Sequence, residues 1–512
     1  MTNNANLLRS LIIYGICLPL AILLGYLLTT PDQSSVSTIG VVLAILIIPI
    51  LLRFHHAFLV ISWNLGMMMF FLPGSPTSWL TMSIISFLIF LGQRILDKRF
   101  RFLTVPEINR PLIILLLVVI ITAEATGGIG LRYTGGDTYG GKRYLVLIGS
   151  ILGYFALTGR RIPPEKAYLY LALFFLSGVF NFLEDWYSLS GPVSRYLFLF
   201  FPPTMLGPVQ LGETRFGGLT LGAMMVFSYM LARYGIRNLF FGGRPWRLVL
   251  FCFFCVIGLL GGYRSSLMTV IITFSIQFYL EGMHKTKLLP FFAFIVLSAT
   301  FICFPLMHML PSNIQRSFAF IPFAPIDPEV RMNADVSSDW RIRMWHAVIP
   351  EIPNYLLLGK GLSISKQDFT DATNKATNQG AMTEDWWGSL TAGDFHNGPL
   401  SVLITFGIWG MLAFLWFIYA GLKVLYNNYR YGDPNLRTIN ACLYSLFLGK
   451  TVIFFFVFGG FYADLQIFLG WLALGICLNG GAVRAPQTAS VSVAKTDNLA
   501  NLLPRPKSAF SR

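Results

Sequence analysis

The chain has 512 residues, of which 55% are hydrophobic and only 12% charged. That is about half the charged share of an ordinary soluble domain, and apolar runs of about 15 to 22 residues recur along its length, excluding a soluble globular fold in favour of an all-α polytopic membrane protein. The net charge of +15 does not signal nucleic acid, because the lysines and arginines sit in short clusters between apolar spans, as cytoplasmic loops do.

Taken in order, the hydropathy predicts about 14 spans, near residues 10–30, 38–52, 56–72, 77–93, 111–125, 144–158, 167–182, 217–233, 247–261, 265–281, 288–307, 397–420, 437–458 and 462–480. Several are short, so the fold class is about 12–14 transmembrane helices. Residues 38–72 read equally as one span plus a re-entrant piece. No small-residue cleavage site follows the first run, so it reads as an uncleaved span. The chain divides into N-terminal transmembrane helices (1–215), central helices around Arg264 (216–307), one large periplasmic loop with short helices (308–396), C-terminal transmembrane helices (397–481) and a polar tail (482–512) that reads as disordered.

With the N-terminus inside, the basic clusters starting at Gln93, Thr158, Arg233, His284 and Lys423 all fall on the cytoplasmic side. The positive-inside bias therefore places both termini in the cytoplasm. The six cysteines lie in or beside apolar runs. Cys252 and Cys255 have CxxC spacing but no second pair, and read as buried small hydrophobes rather than a metal or redox site.

The outer loops follow from this topology. Gly127–Arg143 is Gly-rich and carries Arg132, Lys142 and Arg143. Asn181–Phe216 carries Glu184, Asp185, Arg195, Glu213 and Arg215, with an apolar piece at Tyr196–Phe201 placed to dip into the interface. In the large loop, Ser338 or Asp339 is the expected N-cap of a helix running to about Val348 and stopped by Pro350. Arg341 and Trp345, four apart, then share a face, and Arg343 points elsewhere.

The only sizeable polar block inside the apolar chain is Asp335–Gly410. It includes DVSSDWRIRMW, PNYLLLGKG and DFHNGPL. Arg264 sits in GGYRSSL between two apolar runs. Such an arginine either snorkels from a helix end or, in a hinge at membrane depth, marks a functional site that needs a partner. His396 directly precedes the run PLSVLITFGIWGMLAFLWF and alone reads as a polar end-cap. His55, His56, His284, His308 and His346 read as loop residues with no matching arginine, His346 being the nearest competitor. The combination says more than its parts. Arginine binds phosphate through two parallel hydrogen bonds and keeps its charge, and imidazole accepts a proton near neutral pH. Two guanidiniums and an imidazole at the outer membrane edge suit a substrate with a pyrophosphate at headgroup level and a sugar above it.

These residues resemble the O-antigen ligase and O-antigen polymerase superfamily, bacterial inner-membrane enzymes acting on undecaprenyl-linked glycans. GGYRSSL is similar to the family's small-residue–arginine motif between two helices, which Arg264 fits. RIRMWHAVIPEIPNYLLLGKGL resembles its R-x-x-x-W…P…G-x-G segment, where counting back from Trp345 selects Arg341, with Gly359 and Gly361 as the paired glycines. HNGPLSVLITFGIWG is similar to its H-N-x-x-L…G-x-x-G segment and supplies His396 and Asn397. The detailed likeness covers roughly residues 215 to 425; the first 200 or so match only as a hydropathy pattern. Two departures stand out: the family usually has about 12 spans, and the block between Gly361 and His396 is long here.

The resemblance implies a GT-C-like fold that needs neither cofactor nor metal. It implies an inverting glycosyltransferase that moves a glycan from an undecaprenyl-pyrophosphate donor to an acceptor hydroxyl, on lipid A core or another lipid or glycan, with membrane lipids as the surroundings. Arg264 and Arg341 would hold the pyrophosphate, with Arg215 and Arg132 in support. His396 would be the general base, Asn397 would orient it or cap the helix, and Trp345 would line the substrate site. Trp386 and Trp387 would stack on sugars or belong to an interfacial belt. Ligase, polymerase and protein O-oligosaccharyltransferase share donor and motifs; the single HN motif favours ligase. A transporter or flippase for lipid-linked saccharide is the rival from another class. It would concentrate polar groups near the midplane and often show repeats, whereas the mid-span charges here are few (Glu124, Lys450). A scaffold subunit of an export machine is a weaker rival.

Overall fold

The computed structural model describes residues 19–27, 33–98, 102–129, 140–188, 194–203, 215–364 and 393–484, with single residues 15 and 370. Among these, all extended elements are helical. In chain order they are α1 (Gln33–Ser62), α2 (Ser78–Leu96), α3 (Pro106–Ala125), α4 (Gly141–Leu157), α5 (Ala167–Leu176, continued by a 3₁₀ stretch over Ser177–Ser188) and α6 (Ser194–Phe200). Then come α7 (Gly217–Phe241), α8 (Pro245–Leu259), α9 (Arg264–Leu280), α10 (Leu288–Cys303), α11 (Ser312–Ser317), α12 (Pro328–Val348) and α13 (Ile352–Tyr355). The last three are α14 (Gly398–Tyr431), α15 (Arg437–Phe456) and α16 (Phe461–Asn479). Eight helical stretches among the described residues are long and apolar enough to cross a membrane. The helices α4, α8, α9 and α10, of 15 to 17 residues, occupy four more of the expected positions. The first expected span is helical at residue 15 and over 19–27, with its other residues outside the described ones.

The molecule is a polytopic helical membrane protein, and its packing follows from its solvent. Every residue from Phe468 to Leu478 of α16 is buried, against α4, α14 and α15. By contrast α10 buries only Phe292 and leaves Phe294, Leu297 and Phe301 at 69%, 69% and 83% exposure. Such an apolar outer face is stable only in lipid. Hydroxyls inside the bundle turn back on their own helices: Ser83, Ser150, Ser228 and Ser445 each donate to the carbonyl four residues earlier, which satisfies them without water.

Several expectations are corrected. The spans near 38–52 and 56–72 are one helix, α1, followed by a loop with a bridge between Met68 and Thr77; this is the one-span alternative. The polar RFHH segment does not break the helix because its neighbours absorb it. His55 and His56 are both 5% exposed inside α1, not in a loop. His56 Nε2 lies 2.8 Å from the Leu157 carbonyl, and the His55 ring packs edge-on to Phe90 at 4.5 Å. The loop helix starts earlier than expected, with Asp327 rather than Ser338 or Asp339 as its N-cap, accepting from the Glu329 N–H at 2.9 Å, and with Pro328 in the first turn. It ends at Val348 as expected. Ser338 is interior and bonds back to Ala334. Cys442 and Cys477 are buried, but Cys252 and Cys303 face outward. Glu124 lies at the end of α3 and is exposed, whereas Lys450 is interior to α15 and pairs with Asp464 at 2.7 Å.

One feature of α14 positions the site. At Gly407 the backbone leaves the helix (φ 65°, ψ −166°). The Ile408 N–H, which would otherwise bond to Ile404, donates instead to Leu356 O at 2.7 Å. The freed carbonyls of Ile404 and Thr405 accept from Lys360 N (2.7 Å) and Gly361 N (2.9 Å). The turn and following residues over 356–361 thus pack against the break and satisfy backbone groups that lipid could not. Both glycines of the GKG motif have positive φ, 83° at Gly359 and 73° at Gly361. A Cβ on Gly359 would sit 2.3 Å from the Thr405 carbonyl oxygen, so only glycine allows this approach.

Candidate functional site

Arg143, Arg215, Arg264, His396 and Tyr462, at or beside the amino-terminal ends of α4, α7, α9, α14 and α16, all lie within electrostatic reach of Arg341 or Asp394 at one end of the bundle, where α11 packs against α9 and α12. Helix amino termini carry partial positive charge, and five of them at one end already favour an anion there.

Arg264 opens α9, directly after Gly262 turns the chain (φ 66°). Its guanidinium donates to Ser338 Oγ at 3.0 Å and to the Ala334 carbonyl at 3.3 Å, both on α12. The arginine therefore couples a bundle helix to the helix that carries Arg341. On α12, Arg341 turns inward and Arg343 and His346 face outward. Burial pushes the Arg341 guanidinium down to about 10, and the positive charges of Arg264, Arg215 and Arg316 act in the same direction against the weaker pull of Asp394. Its Nε is buried with no hydrogen-bond partner. A buried cation held among other cations is costly unless an anion joins it.

His396 lies in the left-handed region (φ 48°) just ahead of α14. Its Nδ1 is 2.9 Å from Asp394 Oδ1, and its backbone N–H donates to the same oxygen at 3.3 Å. Trp340 and Phe458 contact the imidazole, each with its ring centroid 5.2 Å away. Phe458 also contacts the Arg341 guanidinium at 5.6 Å. One aromatic ring thus touches both the candidate base and a candidate phosphate binder. Beneath them Met344, Val348, Phe395, Leu400 and Ile404 form a small core that seats α12 on the start of α14.

Two further expected residues are engaged with the protein itself. Trp345 Nε1 donates to the Phe395 carbonyl at 2.8 Å, tying α12 to the residue before His396. Asn397 is the N-cap of α14, its side-chain oxygen accepting from Leu400 N at 3.1 Å. Arg215 lies within electrostatic reach of Arg341. Arg132, Trp386 and Trp387 lie outside the described residues.

Sequence reasoning did not single out Asp394, Arg316 or Arg143 as site residues. Burial pushes the Asp394 carboxyl up, but the bonds and charge of His396 and the charge of Arg143 outweigh it and hold the group below its usual range. Its signal was the D-x-H spacing, which lets a side chain reach both groups of the residue two places on. Arg316, 7% exposed on α11, had no such signal; its approach to Arg264 is a product of the fold. Arg143 lies over the Tyr462 ring at 5.4 Å, with its Nη1 buried and without a hydrogen-bond partner.

A comparison with curated proteins gives no match. A family model described as O-antigen ligase matches residues 209–415, the stretch that holds Arg215, Arg264, Arg316, Arg341, Asp394 and His396. Over those residues the chain matches the O-antigen ligase domain, within a polytopic helical membrane protein.

Proposed function

We propose that the protein is an O-antigen ligase-like, inverting glycosyltransferase acting on a glycan carried by undecaprenyl pyrophosphate. It resides in the bacterial inner membrane with both termini in the cytoplasm and the site on the periplasmic side. The observation that carries this reading is the buried Arg341, with an unpartnered Nε, held among three other guanidiniums and joined through Phe458 to His396. Such a set asks for a ligand with several anionic oxygens next to a group that gives up a proton.

In this mechanism Arg264 and Arg341 hold the donor pyrophosphate, with Arg215 and Arg316 adding to the field. The acceptor hydroxyl delivers its proton to His396 Nε2 as its oxygen bonds to the anomeric carbon. The bond from that carbon to the phosphate oxygen breaks, and the lipid pyrophosphate leaves with the electron pair, its growing charge met by the arginines. Attack opposite the leaving group inverts the anomeric centre. Loss of one such charge contact lowers the rate by about 10²–10³.

The test is complementation of a host lacking its own ligase, with wild type, His396→Ala, Arg264→Ala and Arg341→Ala at matched membrane levels, read as surface glycan on a gel. Restoration by wild type and loss in each variant is the expected result. Long chains on the core acceptor assign a ligase, and lengthening on undecaprenyl assigns a polymerase. Full activity of His396→Ala overturns the mechanism and favours a transporter or scaffold.

A further inference from the structure

We propose that Asp394 is the positioning residue of this site: it holds the proton on His396 Nδ1 and thereby presents Nε2 as the basic nitrogen. The proposal rests on His396 being the general base, and it assigns the group that fixes its tautomer.

Asp394 Oδ1 receives both hydrogen-bonding groups that His396 offers on that side, the ring Nδ1 at 2.9 Å and the backbone N–H at 3.3 Å. An ionised carboxylate is an acceptor only, so the ring nitrogen facing it is the one that bears hydrogen. The backbone bond stabilises the left-handed conformation at His396, which few residue types adopt. Trp340 and Phe458 restrict the imidazole by contact, and the Trp345 indole fixes the carbonyl of the intervening Phe395. The ring is thus restrained in its plane and at its Nδ1 edge, and Nε2 is the nitrogen left for chemistry.

The charges around the pair favour the same state. Arg143 of α4 and Arg341 of α12 act on Asp394 as cations, and the Tyr462 hydroxyl of α16 also feels the carboxylate. Beyond Tyr462, Asp464 is neutralised by Lys450. Asp394 therefore stays anionic at neutral pH. When His396 takes the acceptor's proton, the resulting imidazolium is met by the Asp394 carboxylate at 2.9 Å.

The test uses the full-length protein in lipid nanodiscs. Solid-state ¹⁵N spectra of histidine-labelled protein report the tautomer at neutral pH, with His396→Gln identifying the signal. The expected spectrum has Nδ1 protonated in wild type and loses this preference in Asp394→Asn. In membranes containing undecaprenyl-pyrophosphate glycan and a core acceptor, Asp394→Asn lowers kcat on the order of 10²-fold. Asp394→Glu recovers part of the rate and of the Nδ1 protonation. A wild-type His396 protonated on Nε2 overturns the proposal, as does an Asp394→Asn protein with unchanged kcat and an unchanged tautomer. Full transfer by His396→Gln instead overturns the underlying assignment of the base, a result that the Asp394 variants alone cannot produce.

Discussion

Replacing Gly359 by alanine tests whether the segment 356–361 really locks the break in α14. Two costs arise. Alanine at φ 83° is strained by about 1 kcal/mol or more. Its Cβ would also lie 2.3 Å from the Thr405 oxygen and 2.6 Å from the Thr405 carbonyl carbon, backbone atoms that cannot swing aside. The segment must retreat, giving up the bonds from Lys360 N and Gly361 N to Ile404 and Thr405. Those carbonyls belong to residues only 2% exposed, and each orphaned buried group costs about 1–3 kcal/mol. The expected destabilisation is therefore about 3 to 7 kcal/mol. Gly74 is the control: its φ is 75°, but nothing lies within 4 Å of where a Cβ would stand, so Gly74→Ala pays only the backbone term, about 1 kcal/mol. Unfolding of both variants by titration with SDS in mixed micelles gives the difference. If Gly359→Ala unfolds within about 1 kcal/mol of Gly74→Ala, the close approach is not what holds α14, and the account of the GKG motif is wrong.

Other outcomes follow from the same geometry. Trp345→Phe keeps the packing but removes the donor to the Phe395 carbonyl, so the same titration should show a loss of about 1–3 kcal/mol. Lys450→Met strands Asp464 and costs about 3–5 kcal/mol, whereas Lys450→Met with Asp464→Asn recovers most of that stability in the same titration. Arg341→Lys keeps the charge but not the planar fork and lowers transfer by about tenfold or more, while Arg343→Ala, on the outward face, leaves transfer unchanged. The folded Asp394 carboxyl titrates below its usual range, so its contribution to stability is complete above that range and disappears as pH falls through the depressed value. Thermal stability should thus decline as pH falls through and below the usual carboxylate range, and Asp394→Asn should flatten the decline.

The sequence by itself determined the membrane class, the rough position of most helices and the three motifs around Arg264, Arg341 and His396. Each depends on local information: apolar run length, a charge in a hinge, or helical spacing that turns Arg341 inward and Arg343 outward. Periodicity misread α1, because whether RFHH breaks a helix depends on Phe90 and Leu157, which lie far off in the chain. It also misplaced the start of α12, where Asp327 with Pro328 outcompeted Ser338 as the cap. Only the tertiary structure decided that the amino termini of five helices meet at one end, that Arg316 joins the arginines, and that Arg143 stands behind Asp394. These are contacts between residues distant in sequence, made where helix packing and the need to satisfy backbone groups in lipid leave a single arrangement. No window of residues contains that information.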